Sequence, residues 1–347
     1  MSHRFLAAPI TICALSFFAT AWGQQTSSHA AQKPQAVQSK TGTPPRTPDG
    51  KPDLNGTWNS ASITPLERPK ELGDKAFYTP EEIAALHDKR LKDLNRDRRD
   101  GGAAADLGRA YNEGWYDRGD QFGSNLRTSR VIDPPDGRIP PMTPEAQKRF
   151  KDNHAWFAAH PADNPEDRPL PDRCLLFTQS GPPLLPGNYN NNYQIVETPD
   201  YVAIMAEMPH QTRIIPLHDQ PPLPAGVVQW MGDSRGHWEG DTLVVETTNL
   251  RFNNQTRFGV QYDGMTDENL RIHETFQRTA SDTIIYRATV TDPTVYTKPW
   301  TVEIPMTKTD EPIYEYACHE GNYGMFGILS GARADEKKAA ERSGGAR

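Results

Sequence analysis

The chain has 347 residues, of which 35% are hydrophobic and 31 are proline, and it carries a formal net charge of -7. That length supports a sizeable core in one or two domains, but the low apolar fraction and the prolines put much of the chain in loops and extended segments. No Lys/Arg-rich block is present, which argues against nucleic acid or an anionic membrane as a partner.

Residues 1–23 read as a secretory signal peptide. Arg4 supplies the charged start, 5–18 the apolar run, and Ala21-Trp22-Gly23 the small residues that fit cleavage before Gln24. An uncleaved anchor is the competing reading, weakened by Pro9 and several Thr/Ser residues. Cys13 follows Ile12 rather than a small residue, which disfavours a lipoprotein site. No later stretch is long and apolar enough to span a bilayer. The expected location is periplasmic or secreted, with no stable membrane insertion after signal removal. Export leaves Cys174 and Cys318, and an oxidising compartment favours one disulfide between them over two buried thiols.

Residues 24–51 are rich in Gln, Ser, Thr, Pro and Lys and read as a disordered linker. A single β-rich domain is expected over 52–333, with a helical insertion at about 79–160 and a charged, flexible tail over 334–347. The domain opens with Gly56-Thr57-Trp58. This Gly-x-Trp at a first strand resembles the opening of lipocalin-like barrels, whose Trp closes the barrel floor; an ordinary buried Trp is the alternative. An insertion of roughly 100 residues or more after it departs from that family.

Thr79-Pro80-Glu81-Glu82 is a helix start with a Thr cap, Pro at the first helical position and Glu three residues after the cap. The narrow stripe of Ile83, Leu86, Leu91 and Leu94 predicts a surface helix to about Arg98. Residues 100–140 lack a period but interleave glycines with Tyr111, Trp115, Tyr116 and Phe122. Such a loop either lids a pocket or wraps a surface, with the wrap slightly favoured. Thr143-Pro144-Glu145 opens a second helix, which ends before Pro161.

From Tyr193 the character turns to β. Strands are expected at 193–198, 201–208, 212–216, 235–239, 242–248, 270–278, 283–290, 300–306 and 313–318. Gly240-Asp241 makes the tightest turn between them. The fold class is mainly β, an antiparallel meander forming a lipocalin-like barrel or a sandwich, with two peripheral helices.

Strand alternation singles out carboxylates on apolar faces. Glu274 shares a face with Leu270, Ile272 and Phe276; Glu207 with Tyr201, Ala203 and Met205; Glu315 with Ile313 and Ala317. Glu246 sits opposite Leu243 and Val245 and points to solvent. A buried carboxylate has a raised pKa suited to acid–base work, or is held in an ion pair, here with Arg213, Arg271, Arg278 or Arg287. Glu207, His210 and Arg213 cluster at a strand–turn–strand junction, and His319 and Glu320 end the last expected strand. Asn192 and Tyr193 could line a pocket, while Tyr296 and Trp300 could cap a barrel mouth. His210, His273 and His319 lack any recognised metal-ligand spacing, so no metal is expected. Nucleophile-elbow, phosphate-loop, Cys-x-x-Cys and dinucleotide signatures are missing, and no cofactor is expected.

The stretch 232–249 (Gly-Asp-Ser-Arg-Gly-His-Trp-Glu-Gly-Asp-Thr-Leu-Val-Val-Glu-Thr-Thr-Asn), with 292–300 and 314–324, resembles an uncharacterised family of exported bacterial proteins. The resemblance implies export and a β-rich core and assigns no catalytic residue. Two functions follow as expectations. One is a binding protein that takes a small, partly apolar or aromatic molecule in its cavity. The other is a periplasmic lyase, isomerase or hydrolase with Glu274 or Glu207 as base, His210 or His319 as acid, and Arg213 or Arg235 stabilising an anion.

Overall fold

The structure, a computed structural model, describes residues 42–109, 112–251 and 269–344. The signal-like segment 1–23, most of the linker and Tyr111 lie outside the described residues.

Among the described residues ten strands follow in chain order: β1 (Gly56–Asn59), β2 (Val131–Asp133), β3 (Asn192–Glu197), β4 (Tyr201–Ala206), β5 (Thr212–Pro216), β6 (Asp233–Glu239), β7 (Thr242–Thr248), β8 (Arg271–Ala280), β9 (Thr283–Thr291) and β10 (Trp300–Thr309). They form one sheet in the order β5-β4-β3-β1-β10-β9-β8-β7-β6, with β2 paired off the path onto β10. Every ladder is antiparallel. The short β1 is the joint: it pairs β3 on one side and β10 on the other, linking two hairpin meanders.

Period-2 patterning explains the strands. In β8, Ile272, Glu274, Phe276, Arg278 and Ala280 are buried while the residues between them reach the surface. The β6–β7 hairpin pairs Glu239 with Thr242, so Gly240-Asp241 is a two-residue loop. Gly240 has φ +59°, the positive angle that the first central position of a type II′ turn requires.

The expected closed barrel is not what forms. Among the described residues no ladder joins β5 to β6, so the sheet is open, and there is no second sheet to make a sandwich. The two edge strands nevertheless touch through side chains. A Cβ placed on Gly236 of β6 would stand 2.9 Å from both Ile215 Cγ2 and Leu217 Cδ2.

The core fills the concave face with Trp58, Tyr193, Phe276, Tyr286 and Trp300, all buried. Trp58 donates its indole N–H to Leu54 O at 2.9 Å, and the Arg278 guanidinium lies 5.1 Å from its ring centre. A second cluster of Ile63, Tyr78, Ile83 and Phe122 sits under the first helix, α1 (Pro80–Leu94). Thr79 and Glu82 close the expected capping box there, through bonds of 3.2 and 2.8 Å. A short α2 (Gly102–Gly108) follows, and α3 (Pro144–Ala159) starts on its Thr143 cap. Residues 42–51 of the expected linker are placed: Arg46 forms an ion pair with Asp241 at the β6–β7 turn.

The expected strand 313–318 does not form. Its alternation has no partner ladder, and Glu315 is exposed. The chain then turns into α4 (Tyr323–Gly344), where the composition reads as a charged tail. Ala, Lys, Glu and Arg are strong helix formers, and Arg333–Glu336 and Asp335–Lys338 pair one turn apart. Cys174 and Cys318 form a disulfide with a Cα–Cα distance of 5.7 Å, fastening this C-terminal stretch to the 171–189 region.

Candidate functional site

The anomaly at Glu274 is real, and its partner is Arg213. Arg213 Nη1 and Nη2 donate to the two Glu274 oxygens at 2.5 and 2.9 Å. Tyr286 donates its hydroxyl to Glu274 Oε1 at 2.9 Å and accepts from Leu184 N at 2.9 Å. Burial alone would lower the Arg213 pKa, but the Glu274 charge and hydrogen bonds outweigh it and raise it. Burial, and then the Glu274 charge, push the Tyr286 hydroxyl well above its ordinary value. Beside this group, Tyr193 is fully buried. Its pKa is raised by burial. The network is a sealed, bidentate ion pair, and the carboxylate has no open face for a substrate.

The other expected site residues do not join it. Glu207 accepts from Asn192 N at 3.2 Å and Asn192 Nδ2 at 3.0 Å, and Asn192 Oδ1 accepts from Asn59. His210 occupies the β4–β5 turn at φ +71°, with its Nδ1 buried and unpartnered. His319 is exposed ahead of α4. Arg235 forms an ion pair with its strand neighbour Asp233 at 2.7 Å. His273 pairs across the β7–β8 ladder with Glu246 at 2.5 Å on the exposed side. Tyr296 and Trp300, placed by their sequence at a barrel mouth, are core residues in edge-to-face contact at 5.9 Å. The connection before β10 is covered instead, because Thr143 N and Oγ1 at the start of α3 donate to Val295 O and Thr294 O. Among the described residues no three His, Cys, Asp or Glu side chains gather as a metal site, and no helix is long and apolar enough to cross a membrane.

Among the described residues an open concavity lies elsewhere. A cleft of about 740 Å³ is bounded by 62–67, by Arg90 and Leu94 of α1, by Arg118 and Arg130, and by parts of 171–189. A second cavity of about 430 Å³ adjoins it, sharing Pro171, Phe177 and Tyr189, and is closed on its far side by Tyr316 and the Cys174–Cys318 bond.

Local hydrogen bonds shape these walls. Arg130 N donates to Pro65 O at 2.8 Å and Asp117 N to Asn188 O at 2.9 Å. Asn191 Oδ1 accepts from Gly187 N, while Asn191 Nδ2 donates to Asp117 O. Gln179 Nε2 donates to Tyr189 O at 2.7 Å, lying so close to Gly187 that a Cβ there would come within 2.3 Å of it. Aromatic rings line the rim: Phe177 meets Tyr316 edge-on at 6.1 Å, and Tyr189 meets Tyr116 at 6.4 Å. The loop that carries Tyr116 thus packs over the cleft wall.

Three arginines and one glutamate line the cleft. Arg118 is satisfied: it donates to both Glu113 oxygens at 2.6 Å and lies 4.4 Å from the Tyr116 ring centre. Glu67 accepts from Ile139 N at 2.9 Å. Arg90 reaches Ile63 O only at 3.4 Å, and Arg130 donates to Ser62 O at 2.7 Å while its Nε is buried without a partner. Burial and the neighbouring Arg90 charge push the Arg130 pKa down to about 10.

The sequence pattern held one signal for this cleft. Ile83, His87, Arg90 and Leu94 are spaced four, three and four apart, so Arg90 occupies the inward stripe of α1. Arg130 precedes a strand too short to show alternation.

Fold and site together define a class, an open, rolled antiparallel sheet with a basic, aromatic cleft on its flank. No protein-family model, curated protein or solved structure matches the chain.

Proposed function

We propose that the protein is an exported binding protein for a small, partly apolar or aromatic molecule, held in the cleft between 62–67, α1 and 171–189. The observation that carries this reading is the pair of adjoining cavities, about 740 and 430 Å³, with Phe177 and Tyr189 as shared walls. Small-molecule sites are typically concavities of about 300–1,000 Å³ with aromatic walls and a few polar groups. The concave face of the sheet is filled by large side chains, which moves the binding reading from the sheet interior to its flank. The signal-like 1–23 and the Cys174–Cys318 bond support a periplasmic or secreted location.

The test has two arms. Native mass spectrometry of the exported protein reports any co-purified molecule, and thermal shifts against a set of simple arenes are compared between wild type and Phe177→Ala. Binding by wild type that weakens in Phe177→Ala supports the reading. No bound molecule and no shift in wild type, or shifts indifferent to Phe177→Ala, overturns it. N-terminal sequencing of the exported chain should begin at Gln24; a chain retaining residues 1–23 contradicts the cleavage.

A further inference from the structure

Arginine side chains near or below a protein surface are normally neutralised, because removing a charge from water without a partner is costly. Several arginines of this fold follow that rule. Arg213 has Glu274, Arg118 has Glu113, and Arg127 and Arg287 share Glu303. Arg90 and Arg130 have no such partner; buried Arg68 has none either, but its guanidinium is taken up by Thr128 Oγ1, Gly73 O and Pro135 O, whereas Arg90 and Arg130 line an open cleft. They come from different parts of the chain, line one cleft, and the Arg90 charge is felt at Arg130. Among the described residues neither has a carboxylate within ion-pair distance. Glu67 is in the same lining, but its hydrogen bond goes to the Ile139 amide.

Two like charges that line one open volume, neither answered by a carboxylate, favour an anion there. From this we infer that Arg90 and Arg130 form an oxyanion subsite, so that the molecule held in the cleft is an organic anion, its carboxylate or phosphate on the arginines and its apolar body against Phe177 and Tyr189. The inference rests on the binding reading and adds the charge of the ligand to it. Guanidinium groups suit the task because they stay charged and offer planar N–H pairs that match an oxyanion. Gln179, whose amide N–H is committed to Tyr189 O, shapes the wall between the two regions.

The experiment uses the purified full chain and three probes of similar size: benzoate, phenyl phosphate and neutral benzamide. Titration calorimetry gives affinities, and NMR shift mapping locates each probe. Wild type should bind at least one of the two anions about tenfold or more tightly than benzamide, the worth of a charge-assisted contact. Whichever anion binds better identifies the head group. Arg90→Gln, on a partly exposed helix face, should erase that preference by weakening anion binding far more than benzamide binding. Arg130→Gln should do the same, and Arg90→Gln keeps the test decisive if Arg130→Gln does not fold. Benzamide binding as tightly as both anions in wild type overturns the anion subsite and leaves the binding reading intact. An anion preference that survives Arg90→Gln also overturns it. No probe perturbing the cleft resonances overturns the subsite and the binding reading together.

Discussion

Arg213 on β5 and Glu274 on β8 meet through hydrogen bonds of 2.5 and 2.9 Å although six ladders separate their strands along β5-β4-β3-β1-β10-β9-β8. At about 4.8 Å per strand step, a flat sheet would hold them about 29 Å apart. The pair therefore requires the sheet to roll over on itself, and it spans the concave side as a cross-tie. Breaking one half of a buried ion pair strands the other charge. Glu274→Leu or Arg213→Met should each cost about 3–5 kcal/mol, whereas the two combined should recover most of the loss. Urea unfolding of the three variants checks this. Additive costs in the double variant would mean that the two side chains do not act as a pair.

The seam between β5 and β6 is the second consequence of the roll. It is held by side chains rather than by a ladder, and Gly236 allows Ile215 and Leu217 to lie against the β6 backbone. Gly236→Ala inserts a methyl 2.9 Å from both, so the seam must open or the side chains must shift. The expected loss is about 1–3 kcal/mol, as for other overpacked contacts. Hydrogen exchange should show it concentrated in β5 and β6. Unchanged stability would mean that the edges are free to separate.

How much of this could be read from the chain differs from residue to residue. Glu274 stood out because alternation put it among Leu270, Ile272 and Phe276, and Arg213 was among its candidate partners. Alternation in β5 also puts Arg213 on the face of buried Ile215. The choice among four arginines was not legible, because it depends on a roll set by nine ladders rather than by any local pattern. Glu303 was not legible at all. It faces away from Val302 and Ile304, and its burial comes from a loop near residue 126, remote in sequence, folding over β10. The closed barrel failed for a similar reason, since a strand count does not show whether the last two edges exchange hydrogen bonds. The 313–318 stretch shows the converse, an alternating pattern with no neighbouring edge to pair.

Glu303 yields a pH prediction. Burial would raise its pKa, but hydrogen bonds from Arg127 and Asn125, with the Arg127 and Arg287 charges, outweigh it, and the carboxyl is held below its ordinary value. A carboxyl with a depressed folded pKa contributes stability that is present above its unfolded pKa of about 4.3. That contribution is lost as the pH falls through the folded value. Wild type should therefore lose stability more steeply than Glu303→Gln on acidification below about pH 5, and the two should converge in strong acid. Melting temperatures over that range test it. Parallel curves would show that the hub does not depend on the charge of Glu303.

The Cys174–Cys318 bond couples the fold to the cleft. It closes a loop with a sequence separation of 144 and fastens the segment carrying Tyr316, whose ring packs on Phe177 at the shared wall of the two cavities. β10 ends at Thr309, and no further strand anchors 313–322. What holds that segment includes the disulfide and the Asn322 bond to Asp172 O at 2.9 Å. Removing the bond by Cys174→Ala with Cys318→Ala should cost about 2–5 kcal/mol in the full chain. It should also loosen the Tyr316 wall while leaving the Arg90 side intact. The affinity for a simple arene should then fall, but the preference for an anion over its neutral counterpart should persist. Calorimetry on the oxidised protein and the double variant separates these effects. A lost anion preference with arene binding preserved would show that the disulfide supports the arginine side of the cleft rather than its aromatic rim.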